Sequence, residues 1–447
     1  MTKLFNHQEQ GLSWVLSQDS SMLAFSMGSG KTLITLHVIH AREDVKKVLI
    51  ICPKSVIPVW EKQSKQHGFT DYEFFKYNKA DSVAKKASKL IDLKPTGNIQ
   101  IVVLNYEACW RSAMAKALAK WVPDMIILDE AHRAKAPGSS VSRFLHRLGK
   151  LSKYKLCLTG TPMSNSPLDL YGQFRFLDDT IFGTSFFNFR GEYAVLRSLN
   201  PPIITGWRNT DRLMEKFRTK ALECSMEDLQ DTLKLPGQLP YIVRAEQLDK
   251  ESQRIHDELS KEFITDIKDG ETLVVDNALT KILRCLEISS GYAKIDEKIN
   301  SVNHIKIDML KDVLADLEMQ PLVIFCQFRE DIRRIKEHLT DREVFELSGK
   351  VNELEDWKAA KNAMLVVQMQ SGAEGIDLTK AHTAIYYSRN YSLALYEQSK
   401  ARIYRPGQRF PCRYIHLVIE NTFDEHLFQA LKDKKNLLDL IKTGNYK

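Results

Sequence analysis

A chain of 447 residues is long enough for two or three domains, each with its own core, and its 43% hydrophobic and 27% charged residues are those of an ordinary globular protein. The seven cysteines include no C-x-x-C pair, which argues against structural zinc and for a reducing, intracellular setting; no apolar run approaches membrane length, and residues 1–7 lack a signal-peptide layout. The net charge of +7 is unevenly spread, since residues 1–165 hold 24 Lys+Arg against 13 Asp+Glu, a balance that suits a polyanionic partner or a solvated lysine-rich surface.

Residues 4–16 place apolar side chains at helical spacing, with Gln8 near the start. Residues 22–36 then read as a short apolar strand, a glycine-rich turn, and Gly30-Lys31-Thr32 opening a helix that runs to about Ala41. That order suits phosphate binding. Backbone N–H groups of the turn and the helix N-terminus point at the anion, Lys31 reaches the β- and γ-phosphates, and the Thr32 hydroxyl holds Mg²⁺. The first glycine of the G-x-x-x-x-G-K-[ST] pattern falls on Phe25, so Gly28 and Gly30 alone supply the backbone freedom.

Strand-like runs follow at 48–52, 99–104, 125–128 and 155–158, mostly with helical patterns between them, which implies a parallel sheet covered by helices. The third run ends in Asp129-Glu130-Ala131-His132. Beside a phosphate loop, Asp129 can hold the Mg²⁺ shell and Glu130 can polarise an attacking water, whereas a carboxylate pair there is otherwise costly. After the fourth run, Thr159-Gly160-Thr161 could sense what lies between Asp129-Glu130 and a second domain.

Residues 171–300 are mostly helical in pattern, with an aromatic cluster at 181–189 that reads as core more readily than as a stacking platform. The run 234–240, punctuated by Pro and Gly, is the best domain boundary. It divides the chain into 1–235, with a helical extension from about 171, and 236–447, with an α/β core from about 306. Strands are expected at 322–326, 364–368, 383–387 and 414–418. This second α/β domain has no phosphate loop but carries Ser371-Gly372-Ala373-Glu374-Gly375-Ile376-Asp377 and a basic stretch at 398–408. Arg402 and Arg405 are three apart on a helix expected to end at Pro406-Gly407, so both would face one side, as a solvated helix end or as arginine fingers.

In this order the segments resemble the Swi/Snf-type branch of superfamily two helicases and translocases. The resemblance rests on 4–16, 27–32, 51–55, 104–107, 129–132, 158–166, 279–291, 323–328, 371–378 and 398–408, and so spans almost the whole chain. It implies two RecA-like lobes, ATP and Mg²⁺ as cofactors, and DNA as partner, whether duplex, forked or branched. Gln8 would read the adenine, with Met27, Gly28, Ser29 and Gly30 around the phosphates and Lys31, Thr32, Asp129 and Glu130 forming the hydrolytic site. Gln398, Arg402 and Arg405 would complete it. Lys54, Asn105, Tyr106, Gln327 and Ser371 match positions that face the nucleic-acid backbone, and His132, Thr159, Thr161, Gly375 and Asp377 match coupling positions.

Two departures stand out. Phe25-Ser26 replaces the acidic pair such motors usually carry before the loop, and Glu374 brings a negative charge near a loop expected beside phosphate. With about eight residues after the last helical pattern, the expectation is a minimal motor without appended modules, similar to compact phage-encoded members, and not a nucleosome remodeller. A strand-separating RNA helicase and a phage packaging ATPase are the alternatives. Residues 379–397 leave no room for a long β-hairpin pin, so any strand splitting would fall to 181–189, and the packaging reading needs a carboxylate cluster that the strand ends at Gln327, Gln368 and Ser388 do not supply.

Overall fold

Unbroken runs of Leu, Ile and Val need cover on both faces, and the central strands of the two large sheets have it. In the computed structural model, which describes residues 1–75, 81–163, 166–199, 202–229, 232–268, 275–295, 298–372 and 376–433, nearly every residue of those strands is buried. Contacts divide the chain into two units, Met1–Leu233 and Lys234–Lys447.

The first unit contains β1 (Ser20–Phe25), β2 (Lys47–Cys52), β3 (Tyr72–Phe74), β4 (Ile99–Asn105), β5 (Met125–Asp129), β6 (Tyr154–Leu158), β7 (Ala194–Leu199), β8 (Pro202–Trp207) and β9 (Ala221–Cys224). Seven of them form one sheet, in the order β3-β4-β2-β5-β6-β1-β9, with every pairing parallel. Alternation along the strands feeds two cores. Met22, Leu49, Ile51 and Leu128 pack on one face, and Leu23, Phe25, Ile50 and Ile127 on the other. A parallel sheet puts all its C-terminal strand ends on one edge. Because β5, β6 and β1 are neighbours, the loops that follow them are brought side by side.

The second unit contains β10 (Ile242–Glu246), β11 (Tyr292–Ile295), β12 (Lys298–Ser301), β13 (Leu322–Cys326), β14 (Val344–Leu347), β15 (Met364–Gln368), β16 (Thr383–Tyr386) and β17 (Arg413–Ile419). Its six-stranded sheet is also parallel, in the order β10-β17-β16-β13-β15-β14. The two helix-covered parallel sheets are the architecture expected of two RecA-like lobes.

Residues 171–300 are less helical than their pattern suggested. They hold long helices at Lys250–Lys268 and Val275–Ser289, but also the antiparallel hairpins β7–β8 and β11–β12 and the edge strands β9 and β10. The edge strands are four and five residues long and take their conformation from pairing with β1 and β17. The aromatic cluster is core, as its density implied. Phe182 and Phe189 are buried and their rings interlock with Phe174 and Tyr193, whereas Phe187 is largely exposed.

Charge is buried in the second unit. Asp424 takes Lys306 at 2.9 Å and Arg389 at 2.7 Å, with all three side chains almost wholly inaccessible. Nearby, Asp331 accepts the Phe328 N–H at 3.3 Å and the Ser388 hydroxyl, capping the helix Arg329–His338. Burial pushes the Asp331 acid up to about 6, although Ser388, Lys306 and the Phe328 N–H favour its ionised form. The folded state therefore binds this proton more tightly than the unfolded chain, and stability should fall as pH rises from about 4 to about 6. Asp331→Asn keeps an acceptor and removes the titration. The unfolding free energies of wild type and variant in urea should diverge by roughly 3 kcal/mol across that window, the wild type losing stability as pH rises. Parallel profiles would show that Asp331 is not held protonated.

Candidate active site

Residues 26–30 turn the chain from β1 into the helix Lys31–Ala41. Gly28 and Gly30 have φ of 82° and 85°, the left-handed region in which only glycine is unstrained. The loop is held from outside. The Ser29 carbonyl accepts from His7 Nε2 at 2.9 Å and from Gln8 Nε2 at 3.0 Å, both on the buried side of the helix Asn6–Leu16. Gln8 Oε1 takes the Phe5 N–H at 3.0 Å. In this structure Gln8, expected to read a base, fixes the loop. Phe25 closes β1 and is 1% exposed; a Cβ on Gly11 would lie 3.3 Å from its ring, so it fills the floor beneath that helix. This packing accounts for an aromatic residue at the first glycine position. Lys31 Nζ donates to the Phe25 and Ser26 carbonyls at 2.7 and 3.2 Å.

The loop after β5 comes alongside. Asp129 is buried, and its acid is pushed up by burial and then by the Glu130 carboxylate, with Lys31 and the Trp60 indole opposing. Glu130 has φ 55° and ψ 54°, a left-handed conformation that costs a non-glycine residue roughly 1–2 kcal/mol. Its Oε2 lies 3.4 Å from His132 Nδ1, which in turn lies 3.5 Å from Thr159 Oγ1. Thr159 Oγ1 accepts the Thr161 N–H at 3.1 Å. Glu130, His132, Thr159 and Thr161 therefore form one chain of contacts. Met27 closes the cluster against the same turn, since a Cβ on Gly160 would lie 3.3 Å from Met27 Cγ.

The donor set fits a nucleotide with Mg²⁺. The buried Ser29 and Thr161 hydroxyls have no hydrogen-bond partner among the described residues, and half-buried Lys31 and Thr32 stand at a helix N-terminus facing the Asp129 strand end. Thr32 and Asp129 are the residues that would hold the metal.

Of the residues expected to meet nucleic acid, Lys54 is exposed just past β2 and Asn105 is half-buried at the end of β4, donating to Glu107 at 2.6 Å. Tyr106 does not join them. It is 3% exposed and its hydroxyl donates to the Asp129 carbonyl at 2.9 Å, so it supports the catalytic strand end from within the core.

In the second unit Gln327 and Ser371 follow β13 and β15, again at C-terminal strand ends. Gln398 is buried on the helix Leu393–Ile403. Arg402 and Arg405 do not share that helix. Arg402 is in its last turn and 9% exposed, whereas Arg405 lies beyond it in the turn that Gly407 completes at φ 102°. The helix stops at Ile403, three residues before the proline, because Pro406 keeps the residue before it out of helical geometry. The Arg402 carbonyl accepts from the Leu378 N–H at 3.1 Å, and Arg405 Nη1 donates to the Ile376 carbonyl at 3.0 Å. Asp377, between those anchors, takes the Thr379 N–H and hydroxyl at 2.9 and 2.8 Å. Gly375 and Glu374 lie outside the described residues, as do Ser164 and Asn165.

His7, Trp60 and Asn390 were not singled out from the sequence, and Ser388 was read there only as a strand end. His7 directly precedes Gln8 and could have been flagged by that neighbour; the spacing of the other three carries no signal.

Gly30→Ala should cost about 2 kcal/mol, from the left-handed backbone and from a Cβ placed 2.2 Å from Gln8 Nε2. Combining it with Gln8→Ala should recover the steric part, so chemical denaturation of the four proteins should show a less-than-additive loss. Strict additivity would mean that Gln8 does not brace the loop.

The chain matches the SNF2-related domain over residues 7–288 and the helicase conserved C-terminal domain over residues 305–407. Similar proteins include an uncharacterized ATP-dependent helicase of Mycoplasma pneumoniae, 24% identical over 100% of this chain and 43% of that protein. Another is the chromodomain-helicase-DNA-binding protein 1-like of Mus musculus, 22% identical over 99% of this chain and 50% of that protein. The chain spans about half the length of these curated relatives. Among solved structures, the Sulfolobus solfataricus SWI2/SNF2 ATPase core in complex with dsDNA is 22% identical, over 100% of this chain and 94% of that one, with a TM-score of 0.46. None of these bears on the narrower likeness to phage-encoded motors.

Proposed function

Because the chain belongs to the SNF2-related family, we propose that it is a DNA-dependent ATP hydrolase that couples turnover to movement along duplex or branched DNA, remodelling forks or branches. The observation that carries this reading is the convergence of Gly28, Gly30, Lys31, Asp129 and Glu130 on one sheet edge. Thr32 and Asp129 would hold Mg²⁺, which when bound would supply positive charge against the phosphates. The loop and helix N–H groups bind the triphosphate, and Lys31 leaves its two loop carbonyls to take the charge that develops on it. Glu130, fixed by its left-handed backbone and by His132, orients the water and accepts its proton. Arg402 and Arg405 are assigned to the γ-phosphate, with Gln398 beside them. Lys54, Asn105, Gln327 and Ser371 are assigned to phosphates of the DNA. Contacts of that kind carry no sequence preference.

Turnover should be measured with single-stranded, duplex, forked and four-way DNA side by side; no stimulation by any of them would overturn the reading. Lys31→Ala should abolish turnover and keep the fold, and Glu130→Gln should bind ATP yet hydrolyse it very slowly. Arg405→Lys keeps the charge but not the planar fork, so DNA-stimulated turnover should fall by about 10³-fold or more at saturating ATP, with an unchanged melt. A folded variant within about threefold of wild type would leave Arg405 only its hold on the Ile376 carbonyl.

A further inference from the structure

Residues 131–168 hold seven Lys and Arg and not one Asp or Glu. The helix Ser140–Gly149 in the middle of this run carries Arg143 and Arg147, both exposed, one turn apart. They line a concavity of about 410 Å³ with Trp110, His146 and Arg175.

This arrangement works against the helix. Like charges four residues apart repel, and Arg143 lies in the half of the helix where the dipole disfavours a cation. No carboxylate among the described residues relieves them. Asp179, the acid that does reach this helix, is taken by His146 at 2.8 Å and Lys150 at 3.1 Å. Arg175 Nε is buried with no hydrogen-bond partner among the described residues. Guanidiniums gathered at a concave surface with unmet donors suit phosphate oxygens, which they can bind in pairs. The 40%-exposed Trp110 offers a ring on which a sugar or a base can pack. Position supports the same ligand. Trp110 ends the short helix Tyr106–Cys109, which begins directly after Asn105 and packs against Ser140–Gly149, so the concavity continues from a residue assigned to the DNA.

We propose that this concavity is a further nucleic-acid contact, in which Arg143, Arg147 and Arg175 bind backbone phosphates beyond those met by Lys54 and Asn105. The proposal rests on the reading of the chain as a DNA motor. The test is equilibrium binding of the full chain, without nucleotide, to a mixed-sequence duplex over a range of salt. For the double variant Arg143→Gln/Arg147→Gln, affinity near physiological salt should fall about tenfold or more, and the slope of log K against log salt should lose about 2 of its magnitude. Arg175→Gln should remove about 1 more. Arg143→Lys/Arg147→Lys should keep the wild-type slope, because the charge remains. The melt and the DNA-free ATP turnover should stay at wild-type values in every variant. If the glutamine variants bind with the wild-type slope while DNA still stimulates the wild type, this site is overturned and the motor reading stands. If the wild type itself binds no duplex, both fall.

Discussion

Two side chains meet on one carbonyl oxygen, and the phosphate loop depends on it. His7 and Gln8 both donate to Ser29. A trans peptide is planar, so drawing the Ser29 oxygen toward the N-terminal helix turns the Gly30 N–H to the opposite side, away from the protein's own acceptors. The left-handed glycines at 28 and 30 let the chain make this turn without a Cβ in the way. The loop's affinity for anions is thus set partly by a helix some twenty residues earlier in the chain.

The second unit fixes its strand ends through a comparable polar relay. The Asn390 side-chain oxygen accepts the Ser392 N–H at 2.8 Å, so its amide nitrogen must donate, and it does so to Gln327 Oε1 at 2.7 Å. Gln327 is itself buried, and with Oε1 engaged its side chain keeps only its NH₂ donors for other partners. The Ser388 hydroxyl accepts the Gln327 N–H at 2.7 Å and donates a hydrogen bond to Asp331, while Arg389, between Ser388 and Asn390, is locked onto Asp424. Buried networks of this kind stabilise only when satisfied together, which ties the geometry of Gln327 to residues more than 50 positions away.

What was legible in the sequence was whatever is local. Runs such as 48–52 and 322–326 are strands because nothing polar interrupts them, and Gly30-Lys31-Thr32 and Asp129-Glu130 announce their chemistry by type and spacing. What was not legible depends on tertiary pairing. Ala221–Cys224 has no strand signature and becomes one by lying against β1. Tyr106 follows an exposed-looking Asn105 but turns inward to Asp129. The Arg402–Arg405 spacing looked helical, yet Pro406 ends the helix early and the second arginine is placed by the Ile376 carbonyl. The relay through Asn390 joins three separate segments, 327–331, 388–392 and the stretch at Asp424, and no single stretch of chain records it.

The hold of Lys31 on the Phe25 and Ser26 carbonyls gives the loop a threshold. A hydrogen bond to a charged group is worth about 1.5–3 kcal/mol, so an anion entering the loop competes with two such bonds before it gains the ammonium. Orthophosphate, compact and strongly hydrated, offers little beyond that exchange. A triphosphate brings further oxygens to the backbone N–H groups at the same time and clears the barrier by chelation. A ligand with many oxygens is therefore better placed than a compact one to exchange for the lysine's internal partners.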